Sequence, residues 1–276
     1  MDLRRLVRGT VPWADLERVA RDVMERYDRS EVRVEFVSVD NWLSTPCVVN
    51  EEWFVKIISP QNALVHALFT GARNLGAVTS GSTGFFEQFD SPHEMAVHEL
   101  EATRALREIG VNTPEPIEAF EVGDLGVLVL EYLPDFDTLD DADSTEVAQL
   151  SPELFATLRK MHDHQLAHGD LRRENVLIYG DELYFIDVTK VREDGIDSSA
   201  PYDLASALAS LSPDIGEDRA VDDALRYYDI DHLLAAREFI DIVSLRPDHE
   251  FDATRLKGTI ETRASRQAQR RWVTGE

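Results

Sequence analysis

A polar loop around position 170, followed closely by two apolar strands, constrains this chain more than any other feature. Asp170 and Asn175 lie five positions apart on the loop, and a short apolar run follows them directly. Gly180 and Asp181 predict a turn, after which a second apolar run ends at Asp187. The sequence therefore predicts a hairpin that delivers the side chains of Asp170, Asn175 and Asp187 to one place.

These residue types suit the transfer of a phosphoryl group from ATP. That reaction needs its reactants held in line and its spread negative charge neutralised, with little covalent help from the protein. We expect Asp170 to orient an acceptor hydroxyl and take its proton, while Asn175 and Asp187 hold Mg²⁺ or Mn²⁺ through oxygen ligands. The alternative is an ordinary hairpin with solvated polar residues at its ends. This alternative explains any one of the three residues well, but it explains their joint pattern poorly.

The same residues resemble a known family. Residues 168–175 and 185–187 are similar to the catalytic and metal-binding loops of the protein-kinase-like superfamily. Residues 186–189, Ile-Asp-Val-Thr, resemble the metal-binding motif of the RIO kinases, in which Ile-Asp is followed by a small residue. The resemblance implies a bilobal α+β fold with an antiparallel-sheet N-lobe and a mostly helical C-lobe. It also implies ATP and Mg²⁺ or Mn²⁺ as cofactors.

The resemblance further implies a lysine on an N-lobe strand and a glutamate on the following helix that pairs with it. Lys56 lies in an aromatic and β-branched run and is the only lysine in the first half of the chain. Glu99 lies on a predicted helix over 93–109, and Glu101 is the second choice for the pair. The alternatives are a lysine on an edge strand and glutamates on a solvated helix face.

A hinge that binds adenine is predicted farther along the N-lobe. Residues 126–134 indicate a buried strand that runs into an extended segment, whose backbone groups would face the nucleotide. Glu131 and Leu133 are the candidate residues there. A core strand without any ligand would show the same pattern.

Two features depart from the family. The loop over 40–46 stands where the family usually has a glycine-rich phosphate loop, yet it contains no glycine. The hydroxyls of Ser44 and Thr45 are candidates to replace the missing backbone contacts. Arg172 stands where RIO kinases usually have a small hydroxyl residue. Its cation would stabilise the migrating phosphoryl group, or it is a surface arginine.

Supporting elements are predicted on either side of the catalytic loop. Ser151 and Pro152 indicate the start of a helix that leads to His162, for which we expect a structural hydrogen bond. Asp203 is predicted to start a later helix, and it resembles the aspartate that binds the catalytic-loop backbone in the family. The alternative for Asp203 is a plain charge at a helix N-terminus.

We divide the chain into a helical extension over 1–30, an N-lobe over 31–134 and a C-lobe over 135–276 that ends in a helical tail. The N-lobe carries an insert over 59–92 and its hinge over 131–134. The candidate autophosphorylation sites in the insert are Ser80, Ser82 and Thr83.

The composition predicts the salt conditions and the cellular compartment in which the protein is stable. A net charge of −25 with a pI near 4.6 weakens the compact state unless salt screens it, and it resembles proteins of salt-loving archaea. Such a charge disfavours generic nucleic-acid binding. A single cysteine excludes an internal disulfide framework, and no apolar run reaches the length of a membrane span. We therefore expect a cytoplasmic protein without a membrane partner.

Beyond Asp214 the pattern predicts helices without chemistry, although cations concentrate near the C-terminus. Such a tail would touch ribosomal RNA or, as we favour, pair with the acidic body of the protein. The cations are Arg255, Lys257, Arg263, Arg266, Arg270 and Arg271.

Three functions remain open at this point. The leading one is an atypical, RIO-like serine kinase or ATPase. The second is a small-molecule phosphotransferase that acts on a sugar or an aminoglycoside. The third is a nucleotide-binding scaffold without catalysis. ATP is a partner in all three, and the acceptor in the first two is a protein or a small molecule.

Overall fold

The computed structural model describes residues 11–37, 44–63, 89–188, 195–246 and 250–274. Their contacts divide the chain into two compact units. Among the described residues, the first unit comprises 11–37, 44–63, 89–108 and 113–135, and the second comprises 109–112 and the residues from 136 onward.

The first unit is a five-stranded antiparallel sheet with helices packed against it. The strand order is β1-β2-β3-β5-β4, and each neighbouring pair is antiparallel. Its elements are α1 (Trp13–Arg26), β1 (Val34–Phe36), β2 (Thr45–Val49), β3 (Trp53–Ile58), α2 (Pro92–Glu108), β4 (Pro116–Val122) and β5 (Leu125–Glu131).

The two faces of β3 explain how a lysine in an apolar strand finds a polar partner. Trp53, Val55 and Ile57 belong to the hydrophobic cluster that contains residues of α1. Because side chains alternate along a strand, Lys56 and Ile58 lie on the other face, and Ile58 packs with residues of α2. Lys56 therefore lies on the side of the sheet that α2 covers.

Gly126 of β5 allows α2 to begin directly against the sheet. A Cβ atom at this position would lie 2.1 Å from the carbonyl oxygen of Pro92. Any side chain would push the first turn of α2 away from β5.

The described part of the second unit combines a small antiparallel sheet with helices. The sheet has the order β6-β7-β8. Helix α4 is the centre of this unit, since it is buried on nearly all sides over residues 202–212. The elements are β6 (Asp137–Thr138), α3 (Ser144–Asp163), a 3₁₀ turn (Arg173–Asn175), β7 (Val176–Tyr179), β8 (Glu182–Phe185), α4 (Ile196–Ile215), α5 (Glu217–Ala224), α6 (Ile230–Arg237), α7 (Ile240–Ser244) and α8 (Ala253–Thr274).

The predicted start of α3 at Ser151 is wrong, because the helix begins at Ser144. The carboxylate of Asp143 caps it by accepting hydrogen bonds from the backbone N–H groups of Thr145 and Glu146. Pro152 therefore lies inside the helix and cannot donate to the carbonyl of Ala148. A guanidinium N–H of Arg219 donates to that carbonyl instead, at 2.5 Å.

Asp203 also lies deeper in its helix than predicted. Helix α4 begins at Ile196, and the side chain of Asp203 is fully buried. A charge at this depth needs hydrogen-bond partners, so the simple helix-terminus alternative does not apply.

The predicted α+β class is confirmed, with an antiparallel sheet in the N-terminal part and a mostly helical C-terminal part. The lobe boundaries at 30 and 134 stay predictions. Ser80, Ser82 and Thr83 lie outside the described residues, as does most of the predicted insert. Within the described ranges, no helix is long and apolar enough to cross a membrane.

Candidate active site

The loop that carries Asp170 is anchored by a buried carboxylate. Asp203 accepts hydrogen bonds from the backbone N–H of His168 at 2.6 Å and from that of Gly169 at 2.8 Å. Gly169 has a φ of +80°, in the left-handed region that favours glycine. The predicted role of Asp203 as a support for the loop backbone is therefore confirmed.

The side chain of Asp203 is itself contacted by His162, and His162 by Tyr228. Nε2 of His162 lies 3.4 Å from the Asp203 carboxylate, and the hydroxyl of Tyr228 lies 2.9 Å from Nδ1 of the same ring. Burial raises the pKa of Tyr228, so its hydroxyl keeps its proton. The predicted structural hydrogen bond of His162 is confirmed, and it joins α3 to the segment between α5 and α6.

The carboxylate of Asp170 is buried between two guanidinium groups. Nε of Arg172 lies 3.2 Å from one oxygen, and Nη2 of Arg246 lies 2.8 Å from the other. Burial disfavours the charge of Arg172, but the carboxylates of Asp170 and Glu174 outweigh this and raise its pKa. Arg172 is therefore cationic and next to Asp170, with 23% of its side chain exposed, and its role at a phosphoryl group stays a prediction.

The hairpin places both predicted metal ligands at one end. Val176 of β7 pairs with Phe185 of β8, and the N–H of Ile186 donates to the carbonyl of Asn175 at 3.1 Å. The amide nitrogen of Asn175 donates to the backbone oxygen of Asp170 at 2.8 Å. Asp187 follows β8 with a φ of +58°, an uncommon value for a residue with a side chain.

His168 completes this cluster as a neutral ring. Burial lowers its pKa, although the charges of Asp203, Asp170 and Asp187 act in the opposite direction. Its Nδ1 accepts a hydrogen bond from the N–H of Asp170 at 3.3 Å, which requires an unprotonated Nδ1. The imidazole therefore acts as a structural acceptor inside the loop.

The donor set at the end of the hairpin fits a hard divalent cation. Asn175 would offer its amide oxygen, since its nitrogen serves Asp170, and Asp187 would offer a carboxylate. The described residues contain no cluster of three or more His, Cys, Asp and Glu side chains arranged for a metal. Two protein ligands suit Mg²⁺, which usually takes its other ligands from water and substrate phosphates.

The first unit contains the predicted lysine–glutamate pair. Nζ of Lys56 donates to Oε1 of Glu99 at 2.5 Å, and the lysine side chain is only 5 % exposed. Lys56 therefore pairs with Glu99, and Glu101 is not needed for the contact. Burying a cation so deeply without such a partner would be costly.

The four other residues predicted to contact the nucleotide also lie in the first unit. Ser44 is buried just before β2, and Thr45 is the first residue of that strand. The side chain of Glu131 accepts from the N–H of Glu115 at 3.0 Å, and Leu133 is buried. Residues 40–43 of the glycine-free loop lie outside the described residues. Ligand binding by these residues stays a prediction.

Arg246 is the site residue that sequence reasoning missed. The region beyond Asp214, for which helices without chemistry are predicted, supplies Arg246, which contacts Asp170 from just beyond α7. It lies 44 positions from Tyr202, to whose hydroxyl it donates, and no spacing or motif connects it with the catalytic loop. Only the packing of the helices brings it there.

The favoured interpretation of the basic tail is confirmed for three of its residues. Arg263 of α8 binds Asp222 of α5 at 2.7 Å. Arg255 and Lys257 likewise contact acidic partners on α5 and α7.

Comparison with known proteins agrees with this geometry. A family model described as the RIO domain matches residues 88–199. That stretch includes Glu99, Asp170, Asn175 and Asp187, but it does not reach Lys56.

One sequence relative and one solved structure extend the comparison. The 3-deoxy-D-manno-octulosonic acid kinase of Vibrio cholerae serotype O1 (strain ATCC 39315 / El Tor Inaba N16961) is 33% identical over 148 residues. The matched stretch covers 50% of this chain and 60% of that relative, which is less than two thirds of its length. An aminoglycoside-3'-phosphotransferase of type VIII shares the fold, with a TM-score of 0.50 and 16% identity over 80% of this chain and 97% of that structure. The chain thus shares the fold of that phosphotransferase, and its residues 88–199 match the RIO domain.

Proposed function

We propose that this protein is an ATP-dependent phosphotransferase that uses Asp170 at the acceptor hydroxyl. The observation that carries the proposal is the setting of Asp170. Its carboxylate lies on a loop anchored by Asp203, and a hairpin next to it carries Asn175 and Asp187 at one end. Kinase chemistry needs such fixed groups, because most of its rate enhancement comes from positioning and charge stabilisation.

Each charged group has a separate task in this proposal. Asp170 orients the acceptor hydroxyl and takes up its proton, and Arg172 stabilises the negative charge that spreads over the migrating phosphoryl group. Asn175 and Asp187 hold Mg²⁺ or Mn²⁺, which neutralises phosphate charge when it is bound. Lys56 binds phosphate oxygens of ATP and is held ready by Glu99.

The remaining nucleotide contacts come from the first unit. Leu133 and the backbone carbonyl of Glu131 would meet the adenine, since the N–H and the side chain of Glu131 are both engaged with Glu115. The hydroxyls of Ser44 and Thr45 would approach the phosphates in place of glycine N–H groups.

The first candidate for the acceptor is a protein hydroxyl, with water as the alternative acceptor. The match of residues 88–199 to the RIO domain supports this RIO-like serine kinase or ATPase. The acidic composition supports a preference for high salt, where the charge of −25 is screened.

A small-molecule phosphotransferase is the second candidate. It is supported by the relative that carries the name of a 3-deoxy-D-manno-octulosonic acid kinase, at 33% identity over 148 residues. In this case the acceptor would be a hydroxyl of a sugar acid or of an aminoglycoside.

The experiment follows the γ-phosphoryl group of labelled ATP with Mg²⁺ in molar KCl. Label is measured in protein, in free phosphate and in added 3-deoxy-D-manno-octulosonic acid or aminoglycoside. Asp170→Ala and Asp187→Ala should abolish every labelled product, whereas the matched control Asp124→Ala, at an exposed turn, should behave like the wild type. Label in protein or in free phosphate would indicate the kinase or ATPase, and label in the added small molecule would indicate the small-molecule phosphotransferase. Equal labelling by wild type and Asp170→Ala would refute the proposal.

A further inference from the structure

The carboxylate of Asp170 is held from two directions within the second unit. Arg172 binds one oxygen from the same loop, and Arg246 binds the other from the segment after α7. The Arg246 side chain is 12% exposed, so solvent does little to weaken this charged contact. Both carboxylate oxygens therefore have a guanidinium partner, which limits rotation of the Asp170 side chain.

Arg246 is itself fixed by a buried tyrosine of α4. Its Nη1 donates to the hydroxyl of Tyr202 at 2.9 Å. The Tyr202 ring is buried and packs edge-on against Phe239, with 6.2 Å between the ring centroids. A planar guanidinium that binds one rigid group can hold a second one at a defined angle.

Two consecutive residues of α4 thus control two parts of one loop. Asp203 fixes the loop backbone at His168 and Gly169 directly. Tyr202 reaches the side chain of Asp170 through Arg246. The backbone and the carboxylate of the loop are therefore positioned relative to the same buried helix.

We propose that Arg246 is a positioning residue for phosphoryl transfer, acting by holding the Asp170 carboxylate in its productive orientation. This inference rests on the proposed function, because it assigns Asp170 to the acceptor hydroxyl. A misplaced carboxylate slows the chemical step, and small displacements are costly when the reaction depends on alignment. Arg246 is thereby assigned to the chemical step and not to the binding of ATP.

The test compares kcat and KM for ATP in wild type, Arg246→Ala, Arg246→Lys and Tyr202→Phe. We expect Arg246→Ala to lower kcat by about 10- to 100-fold and to change KM for ATP by less than about threefold. Arg246→Lys should recover part of the loss, and Tyr202→Phe should lower kcat only by a few-fold. Guanidinium ion at tens of millimolar should restore part of the activity of Arg246→Ala.

Arg237→Ala is the matched control, because it removes a partly exposed arginine of α6 that pairs with Glu261. It should keep the wild-type kcat and gain nothing from guanidinium. If the wild type is active and Arg246→Ala has a kcat within twofold of it, this inference is wrong and the proposed function stands. The same holds if guanidinium does not rescue the lost activity and KM for ATP rises by the same factor by which kcat falls. A wild type that yields no labelled product would overturn the proposed function and this inference together.

Discussion

The two units of the molecule hold their key charges in different ways. In the first unit, Lys56 on β3 pairs with Glu99 on α2, and each residue lies in a segment whose pattern predicts it. In the second unit, Asp170 lies between a guanidinium of its own loop and one that comes from beyond α7. One strand and one helix are therefore enough to fix the charge of Lys56, whereas the position of the Asp170 carboxylate depends on the packing of several helices.

The largest expected effect is a difference in kcat between a variant at Asp170 and a variant at Glu99. Asp170→Asn should lower kcat by about 1000-fold, because the residue acts on the reacting hydroxyl itself. Glu99→Gln should lower kcat by only about 10- to 100-fold, since it acts through Lys56. Initial rates of γ-label transfer in molar KCl measure both. Equal losses in the two variants would remove the distinction between the sites.

The next effect concerns stability in the second unit. Asp203→Ala leaves two buried backbone N–H groups without their charged acceptor, so the free energy of unfolding should fall by about 3 kcal/mol. Asp203→Asn keeps one acceptor oxygen and should lose about half as much. Denaturant titrations of both variants provide the measurement. A loss of less than about 0.5 kcal/mol for Asp203→Ala would contradict the anchoring role.

The features that could be predicted from the sequence are those that depend on residues close together along the chain or on a family motif. The hairpin, the Lys56 strand and the Asp203 support followed from local periodicity, turn residues and a family motif. The start of α3 did not, because the carbonyl left by Pro152 is bonded by Arg219 from another helix. Arg246 was invisible for the same reason, since its contact exists only once α4 and α7 have packed.

A smaller effect should appear as a dependence of stability on pH. Burial lowers the pKa of His168, so the folded state keeps the ring neutral while the unfolded chain binds a proton below about pH 6.5. The contribution is present above that pH and is lost as the pH falls. Between about pH 7.5 and 5.5, wild type should lose about 1 kcal/mol more than His168→Asn. Parallel pH curves for the two proteins would contradict the neutral assignment.

The smallest effect is expected at the basic tail. Arg263→Gln breaks contacts with Asp218 and Asp222, whose side chains are more than half exposed. Surface ion pairs of this kind contribute little, so the free energy of unfolding should fall by less than about 1 kcal/mol, and less again in molar salt. Denaturant titrations at low and high KCl test this. A loss that grows with salt would be inconsistent with an electrostatic contact.

The most direct test of the central claim measures ATP binding and phosphoryl transfer in the same samples of wild type and Asp170→Asn. Equilibrium dialysis with Mg²⁺ and γ-labelled ATP gives the bound nucleotide, and the labelled product gives the transfer. We predict that both proteins bind ATP with affinities within about threefold of each other and that Asp170→Asn transfers label about 1000-fold more slowly than the wild type. Transfer at the wild-type rate by Asp170→Asn would contradict the assignment of Asp170, and with it the account of this site.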